Sequence, residues 1–83
     1  MMNSIRRVEI VSAKRLQVTF ADGFTGEIDL KPFLTKGLAL EIAQPDRFME
    51  VSTEPGGGIA WPNGFDICPE FLRELAEKRH AAA

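Results

Sequence analysis

The chain has 83 residues, 45% of them hydrophobic, and a formal net charge of −2. This length predicts one domain over residues 1–83, with frayed ends at 1–4 and 80–83. One cysteine excludes an internal disulfide, and the sequence has neither a signal-type segment nor 18 consecutive apolar residues. We therefore expect a cytoplasmic protein with no membrane contact, and the net charge argues against a surface dominated by attraction to nucleic acid.

The first 30 residues predict an antiparallel meander of three strands. Apolar and polar residues alternate over 7–10 and again over 15–20, as in half-buried strands. A three-residue loop with Gly23 in the left-handed conformation would set Phe20 opposite Phe24 and keep apolar side chains on one face. A two-residue loop would mix apolar and charged side chains on that face, so we predict the three-residue loop.

Short helical turns and a fourth strand are predicted for the middle of the chain. The first helical turn is expected at 30–34, with Asp29 as its cap. Residues 38–43 fit either a strand or a helical turn. A further helical turn at 45–48 leads into an alternating segment at 49–53, which predicts the fourth strand.

Residues 56–71, GGGIAWPNGFDICPEF, combine a glycine run, the only tryptophan, a turn signal and a helix start. Ile59 and Trp61 predict a short buried strand, and the Pro-Asn-Gly that follows predicts a turn. Pro69 suits the first turn of an amphipathic helix that runs to about Arg79. The expected fold class is α+β, with five strands: a three-stranded antiparallel β-meander plus short helical turns, a second β-hairpin and a C-terminal amphipathic helix packed on the sheet.

Three residues of the tryptophan turn are candidates for an interaction surface: Trp61, Asn63 and Asp66. Trp61 also fits a place in the core, which is the commoner role of a single tryptophan in a small domain. Asp66 also fits a structural role, in which it accepts backbone N–H bonds and fixes the turn.

The first hairpin concentrates positive charge. Residues 1–21 carry four basic residues against Glu9, a balance of +3, so the remainder of the chain carries −5. The four are candidate contacts for nucleic acid or for an acidic partner, or they form a solvated surface that protects a sheet edge: Arg6, Arg7, Lys14 and Arg15.

No residue set reaches the specificity of a catalytic, cofactor or metal signature. The glycines at 56–58 precede a strand and lack the Lys-Ser/Thr of a phosphate loop. His80 and Cys68, each the only residue of its type, cannot supply a closed zinc site. Glu27 and Asp29 share the outer face of the third strand, which indicates a solvated charged face rather than an acid–base pair. We expect no enzymatic activity, no cofactor and no metal.

Two motifs carry a family resemblance. F-x-D-G-x-x-G-x-x-D-L runs from Phe20 to Leu30, and W-P-N-G-x-D-I-x-P runs from Trp61 to Pro69. Together they resemble the bacterial family called domain of unknown function 2442, over nearly the whole chain from Val8 to Leu75. The resemblance implies a small α+β fold and no established activity. It also implies a regulatory role, since some related domains are fused to helix-turn-helix DNA-binding modules. Others are encoded beside a second small protein, as toxin–antitoxin pairs are.

The sequence therefore predicts a non-enzymatic interaction or regulatory module that binds a protein partner or itself, with a homodimer as one form. The alternative is a nucleic-acid-binding accessory or a toxin–antitoxin-type partner that uses the basic N-terminal hairpin.

Overall fold

The computed structural model of the chain describes the backbone of residues 4–82 and the side chains of residues 4–78. The fold is α+β, as the sequence predicted, and most of the predicted frayed ends lie outside the described side chains. The elements in chain order are β1 (Ile5–Ser12), β2 (Arg15–Phe20), β3 (Thr25–Asp29), a 3₁₀ helix (Lys31–Phe33), α1 (Gly37–Glu41), α2 (Pro45–Phe48), β4 (Ser52–Thr53), β5 (Ile59–Ala60), β6 (Asp66–Ile67) and α3 (Pro69–Ala82).

The first sheet has the order β1-β2-β3 and is antiparallel throughout. The predicted register is confirmed: Leu16 lies opposite Ile28, and the Phe20 N–H donates to the Phe24 C=O at 2.8 Å. The three-residue loop is also confirmed, with Gly23 at φ +94°. Register followed from the pattern because a shift of one residue would turn every apolar side chain outward.

Three hairpin turns within residues 4–82 share one backbone geometry. They span residues 20–24, 54–58 and 61–65, and the first residue's N–H donates to the fifth residue's C=O at 2.8, 3.0 and 2.9 Å. The fourth position is a glycine with a left-handed φ of +94°, +98° and +98°, at Gly23, Gly57 and Gly64. This conformation strains residues with a Cβ, so the glycines specify the turns.

A second antiparallel sheet, in the order β4-β5-β6, replaces the single five-stranded sheet expected from the sequence. The fourth strand of the chain, which the sequence predicted at 49–53, spans only Ser52–Thr53. The predicted strand is shortened because Met49 is the C-cap of α2, where its N–H donates to the Pro45 C=O at 3.3 Å. The ambiguous residues 38–43 are largely helical, since α1 spans Gly37–Glu41.

One core connects the two sheets and α3. The Ile5 N–H donates to the Gly57 C=O at 2.7 Å and joins β1 to a turn of the second sheet. A Cβ built at Gly26 on β3 would lie 2.8 Å from the Cβ of Ala76 on α3, so the helix approaches this strand closely. None of the helices within residues 4–82 has the length and apolar character that a membrane crossing needs. The buried apolar residues form one cluster: Ile5, Leu16, Val18, Phe20, Ile28, Leu30, Leu34, Ala39, Ile42, Phe48, Ile59, Trp61, Ile67, Leu72 and Ala76.

Candidate interaction surfaces

An apolar groove lies between the end of β1 and helix α2, and we call it the β1–α2 groove. It is open to solvent, has a volume of about 510 Å³ and is lined by seven residues. The lining residues are Ile10, Ser12, Ala13, Pro45, Asp46, Phe48 and Met49. Phe48 is buried, whereas Met49 is 66% and Ile10 41% exposed. Large apolar side chains are therefore open to solvent on both walls.

Local sequence explains why the two walls of the groove are apolar. On α2, Pro45 and Met49 are four residues apart and so lie on the same side of the helix. On β1 the register shifts between Ile10 and Ser12, where Val11 forms a bulge before the turn. A bulge bends the strand, and both Ile10 and Val11 are exposed here.

The basic residues of the first hairpin do not form one concentrated patch. Arg6 and Arg7 lie near the start of β1, whereas Lys14 and Arg15 lie at the turn that follows it. Arg7 lies opposite Thr19, which is four residues from Arg15 on β2, or about 13 Å at 3.3 Å per residue. Arg7 lies 3.7 Å from a Glu9 carboxylate oxygen, and Arg15 lies 3.4 Å from one of Glu27. Acidic neighbours therefore offset part of the predicted positive charge.

Trp61 lies in the core and is 3% exposed. Its Nε1 donates to the Phe48 C=O at 3.0 Å, and its ring lies 6.0 Å from that of Phe48 and 5.5 Å from that of Phe65. The ring therefore cannot serve the exposed interaction surface proposed for it from sequence, and it matches the alternative role in the core.

Asn63 has the structural role that the sequence assigned to Asp66. Its Oδ1 accepts the Phe65 N–H at 3.0 Å and so fixes the turn. Its Nδ2 donates to the Leu38 C=O and to Glu41 Oε1, each at 3.1 Å, which ties the turn to α1. Asp66 is exposed on β6, where its backbone pairs with Ala60.

Asp22 holds the corresponding position in the turn at 20–24. Its Oδ1 accepts the Phe24 N–H at 3.1 Å and a bond from Arg73 Nη1 at 3.1 Å, so this turn is tied to α3. The Arg73 guanidinium lies over the rings of Phe20 and Phe24, 5.0 and 4.3 Å from their centres, and Nε bonds Glu77 at 2.7 Å. The hydrogen bond from Arg73 lowers the pKa of the Asp22 carboxyl, and the Phe24 N–H lowers it further.

The two turns lie within the two motifs of the family resemblance. The family described as Protein of unknown function (DUF2442) matches residues 5–78. The chain belongs to this family. No curated protein and no solved structure gives a significant match to it.

In this DUF2442 chain the residues of both motifs hold the fold together. Asp22 and Asn63 fix turns and fasten them to helices, and Gly26 permits the approach of α3. Sequence reasoning missed the matching roles of Asp22 and Asn63, although the signal is present: aromatic-x-Asx-Gly-Phe occurs at 20–24 and again at 61–65.

The remaining candidates for chemistry are dispersed in this DUF2442 chain. Asp29 Oδ1 accepts the Lys31 N–H at 3.0 Å, beside the 3₁₀ helix that it was expected to cap. Cys68 is a free, exposed thiol at the start of α3. The side chain of His80 lies outside the described residues. Among the residues that are described, no three His, Cys, Asp or Glu side chains converge in a group that could hold a metal ion.

Proposed function

We propose that this DUF2442 protein is a non-enzymatic module that binds a protein partner through the β1–α2 groove, and that any regulatory role acts through that partner. The exposed apolar walls of the groove carry the proposal. Exposed apolar patches of a soluble domain are common contact sites, because their burial on binding is favourable. A volume of about 510 Å³ accommodates a few apolar side chains of a partner.

Met49 supports a binding role for the groove in particular. Its thioether side chain is flexible and polarisable, and it projects 66% exposed beside the buried ring of Phe48. Methionine at an exposed apolar site adapts its shape to the partner. The tryptophan turn supports such a role less well, because Trp61 is buried and Asn63 already bonds α1.

Site-specific crosslinking in the producing cells tests the proposal. A photoreactive phenylalanine analogue at position 49 should crosslink one defined protein, whereas the same analogue at Leu40 should not. Leu40 is a matched control, since it is 53% exposed on α1 and does not line the groove. The outcome that contradicts the proposal is an absence of any crosslinked species at 49, or the same species at both positions.

Self-association through the groove is the main alternative protein contact, as a homodimer. Sedimentation equilibrium separates the two cases. A monomer across the micromolar range fits a separate partner, whereas a dimer that the Met49→Lys change dissociates points to a second copy.

Nucleic-acid binding through the basic hairpin remains the second candidate. Arg6 and Arg7 are adjacent and exposed at the start of β1, which favours it, but the acids beside Arg7 and Arg15 weaken the local positive field. Binding of this kind should weaken steeply as salt rises and should fall when Arg6 and Arg15 are both replaced by alanine. No binding to duplex DNA or single-stranded RNA at low salt and about 0.1 mM protein would rule it out.

A further inference from the structure

We infer that the β1–α2 groove takes a short, extended segment of a partner protein, which carries two or three large apolar side chains and a basic residue. The inference rests on the proposed function and adds the chemical class of the bound segment. Size, backbone geometry and charge each support it separately.

The size of the groove favours a short segment over a broad protein surface. Seven residues line it. A stable interface between two folded proteins uses about 20–30 residues on each side. A segment anchored by a few side chains matches the smaller site, because its contacts need not extend beyond the groove.

The backbone of β1 favours an extended segment over a helix. On the side of β2 that faces β3, the Phe20 N–H donates to the Phe24 C=O and the Lys14 C=O accepts the Leu30 N–H, each at 2.8 Å, and Phe24 and Leu30 flank β3. The direction of the backbone N–H and C=O groups alternates from one residue to the next along a strand. The even-numbered residues of β2 therefore bond toward β3, whereas Gln17 directs its backbone groups toward β1, where its partner is Glu9. The next residue, Ile10, therefore directs its N–H and C=O away from β2, on a wall of the groove. An extended segment can bond these groups, whereas a helix has already used its own backbone.

The charge at the groove favours a basic residue in the bound segment. Asp46 is exposed and is the charged residue among the seven that line the groove. Glu50, also exposed, follows Met49 directly. An ion pair between Asp46 and a Lys or Arg of the partner would determine mainly which segment binds and in which chain direction it lies. It would add little to the affinity, because exposed ion pairs are weak.

A second copy of the chain is the less favourable occupant. Antiparallel pairing of two β1 edges centred on Glu9 would align Val8 with Ile10 and set the two Glu9 side chains directly opposite each other. Like charges in that position are destabilising. Other registers would place a bulged part of β1 in the ladder, because its register shifts at both 5–7 and 10–12.

Peptide selection tests the inference directly. A displayed library of random 12-residue peptides is selected on the immobilised full chain, and enriched peptides are synthesised for titration by fluorescence anisotropy. We expect apolar-x-apolar sequences with a neighbouring Lys or Arg. Their affinity should fall at least 10-fold for Met49→Lys and stay within 2-fold for Leu40→Lys.

Two further titrations separate the charge and the backbone components. Asp46→Lys should weaken the basic peptides at least 5-fold and favour versions in which Glu replaces the basic residue. Methylating the peptide nitrogen that faces Ile10 should weaken binding at least 10-fold if the segment is extended. Circular dichroism and Trp61 fluorescence establish that each variant is folded, and Met49→Gln replaces Met49→Lys if that variant is not.

Four results would overturn the inference: no enriched peptide, peptides whose affinity does not change with Met49→Lys, acidic peptides, or peptides that gain affinity when stabilised as helices. Each can occur while position 49 still crosslinks a protein in cells. In that case the proposed function stands and only the class of segment is wrong. Loss of both the crosslink and the peptides removes the proposed function as well.

Discussion

Asp22 and Asn63 occupy the same position in two turns of the same geometry, and each fastens its turn to a different helix. Asp22 meets Arg73 on α3, and Asn63 meets the backbone of Leu38 and the side chain of Glu41 near α1. Both first accept the N–H of the phenylalanine two residues later. A short side chain that can cap its own turn and still reach outward suits this double role.

The first prediction at the residue scale concerns pH. Arg73 lowers the pKa of Asp22 in the folded state, so the unfolded state binds the proton more readily. The resulting stability is fully present above the unfolded pKa of about 3.9 and is lost as pH falls through the lower folded pKa. Urea denaturation between pH 6 and 2 should therefore show a decline below about pH 4, which Asp22→Asn makes shallower.

The control for this prediction is Asp66→Asn, because Asp66 is an exposed aspartate outside the Arg73 cluster. It should keep the wild-type pH dependence. Equal slopes for the wild type and Asp22→Asn would show that the contact with Arg73 does not contribute to acid unfolding.

A second prediction at this scale separates the two functions of Asn63. Asn63→Ala removes the turn bond and both outward bonds and should cost about 1–2 kcal/mol in the free energy of unfolding. Asn63→Asp keeps the acceptor for the Phe65 N–H but loses the donor to Leu38 and faces the Glu41 carboxylate. If fastening to α1 matters, thermal denaturation at pH 7 should find Asn63→Asp destabilised as well. A wild-type melting temperature for Asn63→Asp would limit the role of Asn63 to its turn.

At the scale of elements, the packing of α3 on the first sheet depends on a missing side chain. Gly26 lies opposite Val18 in the sheet, and its Cα faces Ala76. A small residue on both the strand and the helix lets the two backbones approach, and Leu72, one turn before Ala76 on α3, is fully buried in the same core.

Gly26→Ala tests this packing. The new Cβ would lie 2.8 Å from that of Ala76, so the helix must shift, at a cost of about 1–3 kcal/mol. The double variant with Ala76→Gly should recover part of this loss in a double-mutant cycle, even though glycine in a helix costs about 1 kcal/mol by itself. Gly56→Ala is the control, since its nearest contact would be 3.9 Å away and its φ is not left-handed.

Additive effects of the two substitutions in that cycle would contradict the close approach. So would a Gly26→Ala variant that is as stable as Gly56→Ala in chemical denaturation.

The sequence predicts those features that depend on neighbouring residues and misses those that depend on residues far apart in the chain. The alternation of apolar and polar residues, together with Gly23 in the turn, predicts the register of the first sheet, because the face to which each side chain points is fixed by its position in the strand. The strand expected at 49–53 was too long because Met49 is the C-cap of α2, which periodicity over five residues does not reveal. The ion pair between Asp22 and Arg73 joins residues that are 51 positions apart in the chain, and the β1–α2 groove brings together β1 and α2. No local sequence pattern predicts either contact.

At the scale of the whole molecule, two small sheets share one core. β4, β5 and β6 have two residues each, which is too short for an independent sheet. Ile5 of the first sheet bonds Gly57 of the second, and the buried cluster runs from Leu16 through Phe48 and Trp61. Each sheet therefore stabilises the other, and we expect the chain to unfold as one unit.

Trp61 provides the test, because it is the only tryptophan and lies in the second sheet's part of the core. Its fluorescence and the far-ultraviolet circular dichroism, which α3 dominates, should give the same urea midpoint. Gly26→Ala acts on α3 and the first sheet, yet it should move both midpoints equally. Its thermal midpoint should fall by roughly 4–8 °C for each kcal/mol lost. A fluorescence midpoint that stays in place while the circular dichroism midpoint moves would show that the two sheets unfold separately.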